Sequence, residues 1–362
     1  MLIVDGHLDL AMNALLYERD ITLPLEALRQ REAGGVAEQR GTVTLSLPEL
    51  RTSRAAVVAG TLIARAKPWI DPARTIGRGD IDYPSADMAY AVAMGQLAWY
   101  RLLEERGEIR LITTQAGLDK HLARWERGEA DPPVGVILLM EGADPIVEPG
   151  QVAAWCQAGL RLVSLAHFGH SRYAAGTPPT DPAEGEQDAP LTPRGRELLK
   201  KMKDQPIALD LSHLSDTSFF EAAERFEGPV CASHSNARAL TKENEARQIS
   251  DEQIRIIARR GGVIGMAMHW CMLKPTARRA TLEHVAEHVD HVCQLAGSAR
   301  HVGIGSDLDG GFGVEDAPED VTRYRDVRQL ADRLRERGMS EEDVAGVFAG
   351  NWLAFYRRVL PG

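Results

Sequence analysis

The 362-residue sequence has little cysteine, and its cysteines form no pair motif. Cys156, Cys231, Cys271 and Cys293 lie far apart, with no C-x-x-C spacing between any two of them. This usage argues against a disulfide framework and fits reduced thiols in the cytosol. No basic leader precedes the apolar residues 2–4, so no secretory signal is visible and we expect a cytoplasmic protein.

Long apolar runs and an excess of positive charge are also absent. No run approaches the roughly 20 residues that a membrane-spanning helix needs, so we expect no membrane partner. The 42 Lys and Arg residues are outnumbered by 52 Asp and Glu residues, which gives a net charge of −10. Binding to duplex nucleic acid needs clustered cations, so we expect no nucleic-acid partner.

Short apolar runs do occur, and longer stretches with helical spacing lie between most of them. This alternation is typical of an α/β protein. The apolar runs predict eight strands, at Leu2–Gly6, Ala55–Ala64, Val134–Met140, Leu160–Ala166, Ile207–Leu211, Pro229–Ser233, Gly262–Met268 and Val302–Gly305. Helices are predicted at Met88–Glu105, Gln151–Gln157, Arg194–Met202, Thr217–Arg225, Asp251–Arg260, Thr281–Ala296, Asp326–Arg337 and Glu341–Arg358.

Eight strands with intervening helices predict a (β/α)8 barrel, the TIM-barrel fold, formed by one domain over residues 1–362. The helices from about residue 326 to 360 are expected to pack on this barrel. A doubly wound open sheet is the competing α/β architecture, but the glycine fingerprint that usually follows an early strand is missing. Segments 67–84, 176–193 and 309–320 are interpreted as loops, and 176–193 is either a lid over the site or a surface excursion.

Acidic and imidazole side chains stand at the carboxyl ends of six predicted strands. These residues are His7 and Asp9, Glu141, His167, His213, His234 and Asp307. A single residue of this kind is more often a hydrogen-bonded rim residue or a helix cap. Six strands place such groups at one face of the barrel, and burying each group without a partner costs free energy. A bound metal ion would be a shared partner for all of them, so together they favour a metal centre.

The donor types favour zinc or a similar divalent ion, because imidazole nitrogen and carboxylate oxygen predominate. Three histidines and two acids are too many for one tetrahedral zinc that must keep a water position. We therefore expect two ions that hold a bridging water as hydroxide near neutral pH. In this hypothesis His7 and Asp9 bind one ion, His213 and His234 bind the other, and Glu141 bridges them.

The ordered set of strand-end motifs resembles the membrane (renal) dipeptidase family, peptidase family M19. The motifs are Asp5-Gly6-His7-Leu8-Asp9, Glu141-Gly142, Asp210-Leu211-Ser212-His213, Ser233-His234-Ser235 and the segment 301–310. The resemblance implies an amidohydrolase-like barrel with two zinc ions and hydrolysis of dipeptides, both L,L and those with a D-residue at the carboxyl-terminal position. It also implies a homodimer.

The resemblance implies a role for each motif residue as well. The five metal ligands are His7, Asp9, Glu141, His213 and His234, with Glu141 as the bridge. His167 is similar to the histidine that contacts the scissile carbonyl and steadies the oxyanion, and Asp307 to the carboxylate that moves the proton to the departing amine. Arg247 is similar to the arginine that binds the substrate carboxylate, and Arg238 is its rival.

Two other functions stay open. The first is another hydrolase on the same scaffold, such as a lactonase, deaminase or cyclic-amide hydrolase. Those enzymes typically begin with His-x-His and often bridge their metals through a carbamylated lysine. This sequence has His7-Leu8-Asp9 instead, and nothing in it indicates that Lys67, the only lysine near a strand end, is such a bridge. A barrel that binds metal without catalysis is the second. Further residues of undecided role are Asp309, which is a neighbour of the metal ligands or a loop cap, and His170, Arg172 and His269, which are pocket or loop residues.

Overall fold

A computed structural model of the chain describes residues 1–33, 40–68, 81–178, 188–241, 245–273 and 280–362. Eight parallel strands form a nearly closed barrel, in the order β1, β2, β6, β7, β8, β9, β10, β11. The strands are β1 Ile3–Leu8, β2 Ala55–Ile63, β6 Val134–Glu141, β7 Leu160–Ser164, β8 Ala208–Asp210, β9 Val230–Cys231, β10 Ile264–Met266 and β11 Val302–Ile304. The pairing of Asp5 with Ile304 and a bridge between Ala232 and Ile264 complete the ring. The predicted TIM barrel is confirmed.

The eight predicted strands are all present, with shifted boundaries. Strand β1 extends to Leu8, so His7 lies within it, whereas β8, β9 and β10 are shorter than their apolar runs. Three further strands were not predicted, because runs of two or three residues carry no periodic signal. They are β3 Arg65–Ala66 and β4 Asp82–Tyr83, which pair with each other, and β5 Ile109–Leu111, which pairs with the first half of β6.

Helices surround the barrel, and every predicted helix has a counterpart. The α-helices are Leu10–Leu15, Leu25–Glu32, Leu47–Thr52, Ala86–Glu105, Gln115–Glu126, Val152–Gln157, Pro193–Met202, Asp216–Arg225, Asp251–Arg259, Trp270–Leu273, Leu282–Ala296, Leu330–Glu336, Glu341–Ala345 and Asn351–Val359. Hydroxyl caps begin several of them: Thr192 accepts from the N–H of Gly195, and Ser250 from that of Gln253. The predicted helix 326–337 begins as a 3₁₀ turn, Tyr324–Gln329, and the helix 341–358 contains a π-turn at Gly346–Gly350.

The last helix packs against the amino end of β11 and places an indole among buried residues of the strands. Asn351 donates to the carbonyl oxygens of Ala299 and Val302, just before and at the start of β11. Trp352 is fully buried, and its indole N–H donates to the carbonyl of Ile304 at 2.7 Å. A Cβ atom on Gly303 would lie 2.5 Å from the Trp352 ring, so glycine makes room for this indole.

The predicted loops are partly described. Residues 69–80 and 179–187 lie outside the described residues, so the choice between a lid and a surface excursion at 176–193 stays open. No described helix combines the length and the apolar character that crossing a membrane requires.

Candidate metal centre

A first group of donors forms where β1 and β6 end. His7 belongs to β1, Asp9 follows that strand directly, and Glu141 is the last residue of β6. Nε2 of His7 lies 3.4 Å from Oε2 of Glu141 and 3.8 Å from Oδ1 of Asp9. The three ligand atoms all lie within 4.8 Å of one another, which is the spacing of side chains that hold one ion.

A second group faces the other carboxylate oxygen. The Nε2 atoms of His213 and His234, which follow β8 and β9, lie 3.3 Å and 3.4 Å from Oε1 of Glu141. These two nitrogens are 3.0 Å apart. Glu141 therefore presents one oxygen to His7 and the other to the His213 and His234 pair, as a bridging carboxylate would.

His167 and Asp307 adjoin these groups. Nε2 of His167 is 3.8 Å from Oε1 of Glu141, and Oδ1 of Asp307 is 3.9 Å from Nε2 of His7. Asp307 and His213 also have left-handed backbone conformations, with φ of 57° and 64°. Such angles are costly for residues other than glycine and are found preferentially at functional sites.

The charges of the cluster favour a bound cation. Burial lowers the pKa of His213 to about 3 and the pKa of His234 well below its ordinary value, so both rings are neutral, as ligands must be. At His7 burial is outweighed by the facing carboxylates, above all Glu141, which raise the pKa to about 10. Nε2 of His7 is buried without a hydrogen-bond partner among the described residues. The facing carboxylates favour positive charge at this atom, and the donor set fits a divalent metal ion.

Hydroxyl groups hold the outer nitrogens of the three histidines. Nδ1 of His213 lies 3.0 Å from the hydroxyl of Thr177, and Nδ1 of His7 and of His234 both contact the hydroxyl of Ser233. The hydroxyl of Thr61 donates to the carboxylate of Asp9. Contacts of this kind orient metal ligands and fix their tautomers.

The cluster forms the floor of a cavity of about 250 Å³. Arg247 lies in the cavity wall, buried, and donates to the hydroxyl of Ser235 at 3.3 Å and to the carbonyl of His234 at 2.9 Å. Arg238 is not part of the wall, since its guanidinium holds the carboxylate of Asp216 at 2.6 Å and 2.7 Å. The structure thus places Arg247, and not its rival, beside the candidate metal ligands.

The other residues of undecided role separate in the same way. His269 lines the cavity, whereas His170 and Arg172 line a different surface pocket. The Lys67 ammonium group donates to the carbonyls of Phe168 and His170 at 2.8 Å and 2.9 Å, so its described contacts are to backbone oxygens. The carboxylate of Asp309 accepts two N–H groups and a hydroxyl from Thr44 and Leu45, which is the loop-capping role.

Four residues of the cavity wall were not anticipated. Cys271 and Met272 lie on the short helix Trp270–Leu273 after β10, and Gly311 and Phe312 lie in the loop after β11. The thiol of Cys271 is 2.9 Å from Nδ1 of His269. A four-residue helix and a loop show no periodic pattern, so nothing in the sequence indicated that these residues meet the strand-end motifs.

Comparison with known proteins adds three findings. The family model described as membrane dipeptidase, peptidase family M19, matches residues 1–360. The structure of dipeptidase AC, a metallopeptidase of family M19, superposes with a TM-score of 0.77 at 25% identity over 100% of this chain and 99% of the other. A metallopeptidase from Rhodobacter sphaeroides, solved with a phosphinate mimic of the dipeptide L-Ala-D-Ala, has the same fold, with a TM-score of 0.77 at 24% identity over 99% of each chain.

A curated relative is similar over a shorter stretch. Dipeptidase aclJ of Aspergillus oryzae is 32% identical over 198 residues, which are 54% of this chain and 44% of that protein. A protein of Schizosaccharomyces pombe named as an uncharacterized dipeptidase is 28% identical over 226 residues, which are 62% of this chain and 53% of that protein, so the chain spans about half the length of these two relatives.

Proposed function

Because the chain belongs to the membrane dipeptidase family, peptidase family M19, we propose that it is a dinuclear zinc dipeptidase that hydrolyses L,L dipeptides and dipeptides with a D-residue at the carboxyl-terminal position. One observation carries this proposal. The two oxygens of Glu141 face separate histidine groups, His7 on one side and His213 with His234 on the other. A single buried carboxylate in this position would be able to contact two ions.

In the proposed centre His7 and Asp9 would hold one ion, His213 and His234 would hold the other, and Glu141 would contact both. Zinc is our assignment because imidazole and carboxylate donors suit it. Two such ions, when bound, supply a water molecule acidic enough to ionise near neutral pH and a Lewis acid for the peptide carbonyl.

His167 is the proposed hydrogen-bond donor to the carbonyl oxygen. Its Nδ1 lies 3.2 Å from Nη1 of Arg65, and a guanidinium can only donate, so Nδ1 is the acceptor. Burial keeps the pKa of His167 well below its ordinary value, so the ring is neutral and its one proton is on Nε2. That N–H faces the cavity, where it can stabilise negative charge that develops on the carbonyl oxygen. The guanidinium of Arg65 is in turn held by two bonds to Asp82, at 2.5 Å and 2.6 Å.

Asp307 and Arg247 complete the proposed site. The Asp307 carboxyl lines the cavity beside His7 and can accept a proton from the attacking water and deliver it to the amide nitrogen, which leaves poorly unless protonated. Arg247 offers a buried guanidinium to the free carboxylate of the substrate. A small cavity with the Arg247 guanidinium in its wall suits a dipeptide, which has a free carboxylate close to the scissile bond, better than a longer peptide.

The test is zinc stoichiometry together with a substrate panel. Protein freed of metal and reloaded should bind two zinc ions per chain and hydrolyse free L,L and L,D dipeptides, but not lactones or dipeptide amides. Asp307→Asn should keep both ions while turnover falls about 10²- to 10⁴-fold. Lactone hydrolysis without dipeptide hydrolysis would favour another binuclear hydrolase, and loaded protein with no turnover would favour the non-catalytic barrel.

Two further proposals accompany the activity. We expect a homodimer, which light scattering of the purified protein tests, and a cytoplasmic location, which cell fractionation tests. A monomer at micromolar concentration would contradict the first, and recovery from the membrane or the medium would contradict the second.

A further inference from the structure

One hydroxyl group contacts both halves of the candidate metal centre. Oγ of Ser233 lies 3.0 Å from Nδ1 of His7 and 2.9 Å from Nδ1 of His234. His7 belongs to the group formed with Asp9, and His234 faces His213 across 3.0 Å. The two rings lie against each other, with centroids 3.7 Å apart. Ser233 is therefore placed between a ligand of each proposed ion.

The proton of this hydroxyl is committed elsewhere. Ser233 donates it to Oδ2 of Asp210 at 2.5 Å, and the N–H groups of Ser233 and Ser212 bond to the other oxygen of that carboxylate at 2.9 Å and 3.0 Å. A hydroxyl has a single proton and two lone pairs. Since the proton goes to Asp210, the two lone pairs are left for His7 and His234, and each of these rings must donate from Nδ1. A longer contact of 3.4 Å to the hydroxyl of Ser212 does not change this assignment.

We propose that Ser233, held by Asp210, is a positioning residue that fixes both His7 and His234 with a proton on Nδ1 and Nε2 turned to the metal. This inference rests on the proposed dinuclear centre and deepens it. A histidine ligand binds through one ring nitrogen, and the hydrogen bond made by the other decides which nitrogen is available. Because one hydroxyl serves both rings, its loss weakens both metal positions together and not one of them.

The barrel contains a matched pair that provides the control. Ser306 donates its hydroxyl to Oδ2 of Asp5 at 2.6 Å and its N–H to Oδ1 at 2.9 Å, which repeats the Asp210 and Ser233 geometry at the β1 and β11 ends. Both serines are 0% exposed. Among the described contacts of the Ser306 hydroxyl there is no histidine ring nitrogen, only Asp5 and the N–H of Leu308. Ser306→Ala therefore removes an equivalent buried hydroxyl without touching a ligand.

The experiment measures stepwise zinc affinity of metal-free protein by competition with a chromophoric chelator. Ser233→Ala should weaken both steps by about 10- to 100-fold. Ser306→Ala should leave both steps within about threefold, and Ser233→Thr, which keeps a hydroxyl, should restore most of the affinity. Loss at one step alone, or equal losses in Ser233→Ala and Ser306→Ala, would overturn the proposal.

A second measurement does not depend on the stability of any variant. Nitrogen-15 NMR of the zinc-loaded wild-type protein should show a proton on Nδ1 of both His7 and His234, and an unprotonated Nδ1 on either ring would overturn the assignment. Neither measurement requires turnover. If dipeptides are not hydrolysed while the affinities change as expected, the proposed activity fails and the role of Ser233 stands.

Discussion

The two ends of the barrel are made by the same strands, yet they hold opposite kinds of side chain. At the carboxyl end, carboxylate oxygens of Glu141 and Asp307 lie 3.4 Å and 3.9 Å from Nε2 of His7, and Asp307 has a left-handed backbone conformation. At the amino end, Trp352 and Phe355 of the last helix pack among buried apolar residues of the strands. One end holds groups that are costly to bury, and the other supplies apolar burial that offsets this cost.

This division explains how a fold can tolerate an unfavourable site. Left-handed φ angles and unpaired buried nitrogens persist only when the surrounding structure fixes them. The Trp352 indole, hydrogen-bonded to the carbonyl of Ile304, holds β11 from inside, and Ser306 and Asp307 follow that strand within three residues. Changes at the carboxyl end should therefore reduce function, and changes at the amino end should reduce stability.

The largest expected effect is at the carboxyl end, in Glu141→Gln. An amide cannot bridge two cations as a carboxylate does, so kcat/KM should fall at least about 10³-fold, on the order of 4 kcal/mol, and the second ion should be lost. Metal analysis and dipeptide turnover measure both. Glu148→Gln, at a side chain that is 61% exposed, is the control and should behave as wild type. Two ions retained in Glu141→Gln would remove Glu141 as the bridge.

Trp352→Ala tests the amino end. Removing a fully buried indole should lower the free energy of unfolding by about 3–5 kcal/mol, measured by urea denaturation of zinc-saturated protein. The protein that remains folded should keep its kcat within a few-fold. Leu353→Ala, one residue away and half-buried, should cost much less. If Trp352→Ala reduced kcat as strongly as it reduced stability, the two ends would not be separable.

Much of this fold was predictable because strands buried on both faces are near-continuous apolar runs. Val134–Glu141 is of this kind, and its buried residues lead directly to the acid that ends it. The helices Leu10–Leu15 and Leu47–Thr52 were not predicted, since six residues show less than two helical turns, and the longer helix Gln115–Glu126 was missed as well. The two short helices are stabilised by packing against the neighbouring strands, and such tertiary contacts are not visible in the local sequence.

The candidate site was predictable as a set of residue types but not as a set of partners. Ser233 belongs to the motif Ser233-His234-Ser235, yet its contact with His7, 226 positions away, exists only because the barrel closes. The sequence predicted Arg247 with Arg238 as its rival, and the two differ in their contacts because Asp216 engages Arg238. Strand pairing and the path of the loops decide which side chains contact one another. Neither can be predicted from the residues near a motif in the sequence.

The two arginines sharpen the comparison within the carboxyl end. Arg247→Gln should lower kcat/KM about 10- to 150-fold, mainly through KM, because a charged hydrogen bond to the substrate carboxylate contributes about 1.5–3 kcal/mol. Arg238→Gln should leave kcat/KM within about threefold, since its guanidinium is engaged by Asp216 and the carbonyl of Gln248. Initial rates over a range of dipeptide concentrations separate the two. Equal losses would mean that both arginines act through the fold.

The smallest expected effect concerns a histidine whose described contacts at this end are structural. His288, on the helix Leu282–Ala296, accepts the N–H of Ala237 at 3.1 Å, and its other ring nitrogen lies 3.1 Å from the carbonyl of Leu273. It thereby joins the loops after β9 and β10 in its neutral form. Burial, with a smaller effect of His291 and His284, lowers its pKa to about 4 from the ordinary 6.5.

The sign of the pH effect follows from this shift. Between pH 6.5 and 4 the unfolded chain binds a proton at His288 that the folded protein does not, so this contribution to stability is complete above 6.5 and is lost as the pH falls towards 4. From pH 7 to 5 the loss should be about 1–2 kcal/mol. Urea denaturation across this range should show a shallower decline for His288→Gln than for the wild type, although the variant starts lower. Parallel declines in the free energy of unfolding would show that His288 is not a source of the acid sensitivity. The neutral, structural role assigned to this histidine, in contrast to the proposed metal-binding role of the strand-end histidines, would then be wrong.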